Sequence, residues 1–250
     1  MSETFKPIPV CAPSKNKLLF IVRCFFDLQM LTVFRFLAKR LSTCKGRILD
    51  VGAGESPWRE LLSSDSEYVA VDIEAADSFG MQRLQGIDYY DGKTLPYGDA
   101  TFDYILCTEV LEHVADPVSF LKDIHRVLRS DGEVIMTIPW SARLHHLPHD
   151  YVRFTRPGLQ ILMEKTGFSQ VLIEERGNDI AVIANKLIVL LIRLLRPSPK
   201  YALLWTWVLA VLLIPPVALF LLAAHLALFF KAGSPDDPLG YGLTAIKNTQ

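Results

Sequence analysis

From residue 47 to residue 175 the chain alternates short apolar runs with longer stretches of mixed polarity. The runs near 47–51, 68–72, 103–107 and 133–138 are rich in Val, Ile and Leu and have the length of buried strands. Between them the spacing of apolar positions predicts helices near 57–63, 116–129 and 156–166. The second opens on Asp116-Pro117 and the third on Arg156-Pro157, where a proline fits the first helical turn. Strands and helices alternating at these lengths predict an α/β domain, a doubly wound and mainly parallel sheet with helices on both faces.

Outside this region the pattern changes. Residues 1–16 are polar and proline-rich, a flexible lead-in. Residues 17–40 predict one helix, bulky with Phe25, Phe26, Phe34 and Phe36 and interrupted by Arg23, Asp27 and Arg35. It packs on the domain or lies at a membrane interface as an amphipathic helix. The domain proper is expected over 17–180. Residues 180–196 read as an amphipathic lead-in to a run between Lys200 and Lys231 with no Asp, Glu, Lys or Arg. That run exceeds the ~18 residues that mark a membrane segment. Pro215-Pro216 divides it, and adjacent prolines break a helical hydrogen-bond ladder. The expectation is therefore a re-entrant hairpin over 201–230, with a kinked single span as its rival. Lys186, Arg193, Arg196 and Lys200 place the preceding flank on the cytosolic side. Residues 232–250 form a tail in which 241–247 predicts a last strand, antiparallel in the sheet.

Composition adds to this picture. The chain has 250 residues, is 50% hydrophobic and carries a formal net charge of −1. Its mean hydropathy of +0.26 is high for a fully soluble enzyme. Basic residues are dispersed, which argues against a nucleic-acid partner. Cys11, Cys24, Cys44 and Cys107 show no paired or metal-type spacing, as expected of thiols in a reducing compartment. The N-terminal stretch has no signal-peptide core, so the catalytic part is expected on the cytoplasmic side of a membrane.

Candidate chemistry begins at residues 47–54, where an apolar strand runs through Asp50 into Gly52-Ala53-Gly54. The two glycines let a ligand lie against bare backbone. A second strand ends in Asp72, where an acid holds ribose hydroxyls in nucleotide-binding α/β folds. A dinucleotide site requires a third glycine three residues after the second. Pro57 stands there instead, so a pyrophosphate cradle and a nicotinamide dehydrogenase are disfavoured and an S-adenosyl-L-methionine site is favoured.

Further segments follow in order: Leu95 to Asp103, the strand Tyr104 to Cys107, the segment Glu109 to Pro117, and Leu128 to Pro139. Together with the glycine loop they resemble the class I S-adenosylmethionine-dependent methyltransferases, in particular the type 11 group, over residues 45–175. That resemblance implies a seven-stranded Rossmann-like sheet and a methyl donor held by Asp50, Gly52, Ala53, Gly54, Asp72, Ile73, Asp91 and Glu109. Asp72 would take the ribose hydroxyls, Ile73 would pack on adenine, and Asp91 (with Asp88 competing) would lie near the adenine amino group. A catalytically silent scaffold with the same fold is the rival reading.

Two polar clusters are candidates for the acceptor side. Glu109, Glu112 and His113 fall at i, i+3 and i+4 and could share a helical face. Carboxylates and an imidazole can hold a divalent ion, and some quinone O-methyltransferases have a similar run that binds magnesium. Glu-His here is common in the wider family without metal, so none is expected. The stretch from His145 to Thr155 supplies His145, His146, His149, Asp150, Tyr151 and Arg153. Similar runs occur in methyltransferases encoded with glycan and envelope pathways. Zinc is the sharp alternative there, against which stand the absence of a nearby Cys and an unfamiliar spacing. His113, His146 and His149 are the candidate bases, and His145, Asp150, Tyr151 and Arg153 the acceptor anchors. The expected acceptor is a small or lipid-linked molecule of isoprenoid, quinone or glycan type. The sequence sets no oligomeric state.

Overall fold

The computed structural model describes residues 10, 12–75, 83–196 and 203–248. The chain forms α1 (Lys17–Phe26), α2 (Leu28–Leu41), β1 (Gly46–Val51), β2 (Ser66–Ile73), β3 (Asp88–Tyr90), β4 (Phe102–Thr108), α3 (Pro117–Val127), β5 (Leu128–Pro139), α4 (Arg156–Lys165), β6 (Phe168–Arg176), α5 (Asp179–Leu195), α6 (Leu203–Phe230) and β7 (Gly240–Lys247). Most of the lead-in expected over 1–16 lies outside the described residues.

Seven strands lie in the order β3-β2-β1-β4-β5-β7-β6. All neighbours are parallel except β7, which runs antiparallel to both β5 and β6. The strand order reverses between β1 and β4, and ligands of such sheets bind in the crevice beyond the strand ends at that point. The alternation of side chains assigns the two faces. Leu49, Ile105 and Val134 pack with Leu121, Ile124 and Leu159 of α3 and α4. Their neighbours Ile48, Leu106 and Ile135 face the other way, against Val33, Phe36 and Leu37 of α2.

Three local expectations are corrected. The helix expected over 17–40 is two helices, because Asp27 leaves helical geometry (φ −105°, ψ 90°) and its Oδ1 accepts a hydrogen bond from the Met30 backbone N–H at 3.1 Å. One residue thus ends α1 and caps α2. The helix expected near 57–63 shrinks to a 3-10 turn over Arg59–Leu61. The break expected at Pro215-Pro216 is absent. Both prolines lie inside the 28-residue α6, and among the described residues no hairpin turn interrupts it.

The hairpin that does form pairs α5 with α6 and is inserted between β6 and β7. Ala181 and Ala184 of α5 meet Leu221 and Ala224 of α6 in one buried cluster, small residues that let the helix axes approach closely. Its base is tied to the sheet. Asn178 caps α5, and its Nδ2 donates to the Ala232 carbonyl at 2.7 Å, while the Ser234 N–H donates to Asp179 Oδ1 at 3.0 Å. Elsewhere α6 exposes Trp205, Leu212, Leu219 and Phe229, among others. Over Trp205–Phe230 it is long and apolar enough to cross a membrane.

Candidate active site

The crevice beyond β1, β2 and β4 is one cavity of about 1940 Å³. Asp50 enters it from the end of β1 and is buried. Its Oδ2 accepts a hydrogen bond from the Tyr68 hydroxyl at 2.6 Å. Burial is the main reason its pKa is pushed up to about 7; the Tyr68 hydrogen bond opposes the rise and the nearby Asp72 adds to it. After Asp50 the chain turns through Gly52 at φ +72° and Gly54 at φ +54°. The N–H groups of Gly52 and Ala53 donate to the Val71 carbonyl at 2.9 and 3.2 Å. This fastens the turn to the end of β2.

Asp72 holds the turn from the other side. Its Oδ2 accepts from the Gly54 N–H at 2.8 Å and its Oδ1 from the Ile73 N–H at 2.7 Å. Burial raises its pKa and these two bonds offset part of the rise. Each carboxylate oxygen keeps a further acceptor position. Ile73 and Tyr90 add apolar wall, and Thr108 brings a buried hydroxyl with no hydrogen-bond partner among the described residues. A carboxylate beside bare glycine backbone, a second carboxylate with acceptor positions left, an apolar wall and an orphaned hydroxyl fit the amino-acid, ribose and adenine parts of S-adenosylmethionine. Asp50, Gly52, Ala53, Gly54, Asp72 and Ile73 all line the one cavity, as does Glu109.

Glu109 is held differently from the others. It has φ +54°, a strained value for a residue with a side chain, and its Oε1 accepts from Arg176 Nη2 at 2.7 Å. Arg176 is buried and also donates to the carbonyls of Tyr241 and Ile138 and to the Thr32 hydroxyl. Asp91 departs from its expected place. Its Oδ1 accepts from the Lys93 N–H at 2.9 Å, closing a turn, and it lies outside the cavity walls. The turn chemistry of an Asp-Gly pair explains that position.

On the acceptor side, His113, His145, His146 and Tyr151 line the cavity. His113 Nδ1 donates to the His149 carbonyl at 2.7 Å, and burial is the main reason its pKa falls to about 4, so the ring is neutral. His149, Asp150 and Arg153 stand outside the walls. His149 is half-buried, with Nδ1 3.0 Å from the Tyr151 hydroxyl. Asp150 and Arg153 form a two-pronged pair at 2.6 and 2.8 Å. Burial alone would raise the Asp150 pKa, but the bonds from Arg153 and from the His145 N–H hold it below its usual value. The pair supports His145 and does not face an acceptor. Tyr68 and Arg176 were not among the expected site residues. Tyr68 was findable, because it lies two positions before Ala70, the residue paired with Asp50, and so on the same side of the sheet.

A doubly wound sheet with acids at the ends of its first two strands and a glycine turn between them is the architecture of the class I methyltransferase fold. Residues 49–136 match the family described as "methyltransferase domain". Over 94 residues the chain is 37% identical to a ubiquinone biosynthesis O-methyltransferase of Parvibaculum lavamentivorans, covering 34% of this chain and 37% of that one. It is 28% identical over 127 residues to a demethylmenaquinone methyltransferase of Staphylococcus epidermidis, covering 44% and 52%. Both matches therefore span about half of the relative or less. A putative sarcosine dimethylglycine methyltransferase of Galdieria sulphuraria shares the fold at a TM-score of 0.51 and 14% identity, over 88% of this chain and 86% of that one. Residues 49–136 thus carry a match to a methyltransferase domain, set in a sheet of the methyltransferase fold.

Proposed function

We propose that this protein methylates a hydroxyl group of an apolar, membrane-borne acceptor of the quinone, isoprenoid or lipid-linked type. The observation that carries this reading is the continuity of one cavity. The space holding Asp50 and Asp72 is also walled by Leu19, Phe20 and Phe26 of α1 and by Ile188, Leu190 and Ile192 of α5. These are the helices that adjoin α6, and α1 turns Leu18, Ile21 and Phe25 outward as well. An apolar tail can thus lie between α1 and α5 while its head reaches the donor. Lys15, Arg23, Lys186 and Arg193 border the same space and suit an acceptor with a polar or anionic head. The names of the two quinone-pathway relatives point to the same acceptor class.

The chemistry is an in-line displacement. The acceptor oxygen attacks the methyl carbon, the carbon–sulfur bond breaks with its electron pair going to sulfur, and the products are a methyl ether, S-adenosylhomocysteine and a proton. The protein's main contribution is to hold donor and acceptor at near-attack distance. Asp50 and Asp72 fix the donor, the α1–α5 walls exclude water and orient the acceptor, and the proton leaves to water at the acceptor end of the cavity.

The α5–α6 hairpin seats the enzyme in the cytosolic leaflet. A helix apolar on all sides belongs in lipid. At 28 residues α6 is about 42 Å long, more than the ~30 Å hydrocarbon core. Its C-terminal end is tied to the sheet, and the basic residues Arg193, Arg196 and Lys200 before its start favour the same side. Both ends on one side describe a submerged helix that does not cross. Outside-only labelling of a cysteine introduced at position 198 would refute this topology.

Calorimetric titration of detergent-purified protein with S-adenosylmethionine, beside Asp72→Ala, tests the donor site. Transfer of labelled methyl to membrane-lipid extracts, set against water-soluble extracts, tests the acceptor. Label appearing only in the water-soluble fraction would reject the lipid reading.

A further inference from the structure

Three imidazoles converge where the segment after β4 meets the segment after β5. One nitrogen from each of His113, His145 and His146 lies within 4.8 Å of the others. The ring centroids are 4.7 to 5.3 Å apart. Beside them stands Glu112, wholly buried, with no hydrogen bond to either carboxylate oxygen among the described residues. Its Oε1 is 3.6 Å from His113 Nε2 and 3.9 Å from His145 Nε2.

The tautomers follow from the partners on the far side of two rings. His113 Nδ1 faces the His149 carbonyl at 2.7 Å, and a carbonyl only accepts, so that nitrogen carries the proton. His145 Nδ1 faces the Arg143 carbonyl at 3.1 Å and Asp150 Oδ2 at 3.3 Å, which fixes its proton in the same way. Both Nε2 atoms therefore hold lone pairs, and both point toward one buried carboxylate. Two lone pairs and a carboxyl group without hydrogen bonds, converging in a buried pocket, leave a place for positive charge between them. A proton on Glu112 would have to bridge 3.6 Å or more, too far for a hydrogen bond. A metal ion meets the need.

We infer that His113, His145 and His146, with Glu112 at their side, form a binding site for a divalent transition-metal ion of the zinc class, opening on the acceptor end of the cavity. An imidazole-rich set favours zinc, cobalt or nickel over the oxygen-seeking magnesium or calcium. Three protein nitrogens with an open position are the pattern of sites where zinc acts on a substrate. Tetrahedral bonds of 2.0–2.1 Å require nitrogens about 3.4 Å apart, a closure within reach of side-chain rotation. The Asp150–Arg153 pair then has a role: it fixes His145 from behind, as outer carboxylates do for metal-bound histidines. In the sequence His113 and the His145–His146 pair belong to two separate clusters, neither of which was expected to hold a metal; the fold brings the three rings together. Under the methyltransferase reading, on which only this use of the ion rests, the open position takes the acceptor's hydroxyl oxygen and lowers its pKa.

The test is a cobalt titration of the full-length, metal-stripped protein in detergent, with S-adenosylmethionine binding and helix content measured on the same sample. The expected result is a single equivalent bound, with the intense visible absorption of low-coordinate cobalt, and displacement by zinc. His145→Ala and His146→Ala lose that absorption while still binding the donor. Asp150→Asn, a positioning change, weakens the ion by about 10- to 100-fold. Wild-type protein that binds the donor but no cobalt or zinc overturns the metal site alone. Metal binding without donor binding overturns the donor reading alone. Variants that keep wild-type cobalt spectra and affinity also overturn the assignment.

Discussion

The Tyr68 hydroxyl donates to Asp50 Oδ2 at 2.6 Å, so a residue of the second strand sets the charge of the acid that ends the first. Burial holds Asp50 near a pKa of about 7 against that bond. An ionised Asp50 suits a cationic donor, and a protonated one does not. Affinity for S-adenosylmethionine should therefore fall as pH drops through 7, about tenfold between pH 8 and pH 6. Tyr68→Phe removes a bond to the charged form and shifts the midpoint to higher pH. Calorimetry across pH checks both, and a flat profile from pH 6 to 8 in the wild type would refute the role.

The same shift makes a stability prediction of opposite sense. A carboxyl whose folded pKa lies above its unfolded value favours the fold at low pH, and that contribution is lost as pH rises through the folded pKa. The donor-free protein should accordingly weaken between pH 4 and pH 8. Asp50→Asn removes the buried charge and should raise the melting temperature at pH 8 by a few degrees, at roughly 2–4 °C per kcal/mol, with little change at pH 4. Donor binding should be lost in the same variant. Thermal scans at the two pH values with and without S-adenosylmethionine separate these effects.

Gly52→Ala should disable the donor loop. At φ +72° a side chain is strained, and an added Cβ would press on Val110 Cγ2 more closely than real Cβ atoms approach. Val110 is short and itself lines the cavity, so the loop must move. We expect a loss of more than about 1 kcal/mol of stability and at least about a tenfold loss of donor affinity. A variant with wild-type affinity would show that the ligand does not lie on this turn.

Arg176 should be among the costliest residues to replace. It joins β6 to β7, β5 and α2 and neutralises Glu109 in the cavity wall. Removing one partner of a buried ion pair costs about 3–5 kcal/mol. Arg176→Met should thus lower the melting temperature by about 6–20 °C. The double variant with Glu109→Gln should recover part of that loss, and strict additivity of the two changes would argue against coupling.

What the sequence made legible follows from the range of each interaction. Asp50, Gly52, Gly54 and Asp72 sit at strand ends next to the turn they build, so local pattern placed them in one crevice. The strand over 240–247 was readable for the same reason. β6 was not among the expected strands, because Phe168 to Arg176 mixes buried, partly buried and exposed positions without strict alternation. Asp27 carries no helix-breaking signature, and only its capping bond divides α1 from α2. Pro215 and Pro216 misled in the other direction: their missing N–H groups were given more weight than the run of apolar residues around them, and α6 stays continuous. The imidazole rim is the least legible feature, since tertiary packing alone brings His113 to His145 and His146.

The membrane seat yields the last prediction. Leu212 and Leu219 lie on α6 and are 67% and 65% exposed, so charges placed there cost the fold little. In lipid each arginine is unfavourable by about 2.5–3.5 kcal/mol near the middle of an inserted helix. Leu212→Arg with Leu219→Arg should therefore move the protein from the floating to the soluble fraction in liposome flotation, with donor affinity unchanged. Activity should separate by acceptor: turnover of a long-chain acceptor in vesicles should collapse, while a short-chain analogue in solution should be methylated at the wild-type rate. Equal loss with both acceptors would mean that α6 supports the fold of the site and does not deliver its substrate. Continued flotation of the double variant would place the membrane contact on α1 instead, where Leu18, Ile21 and Phe25 are exposed.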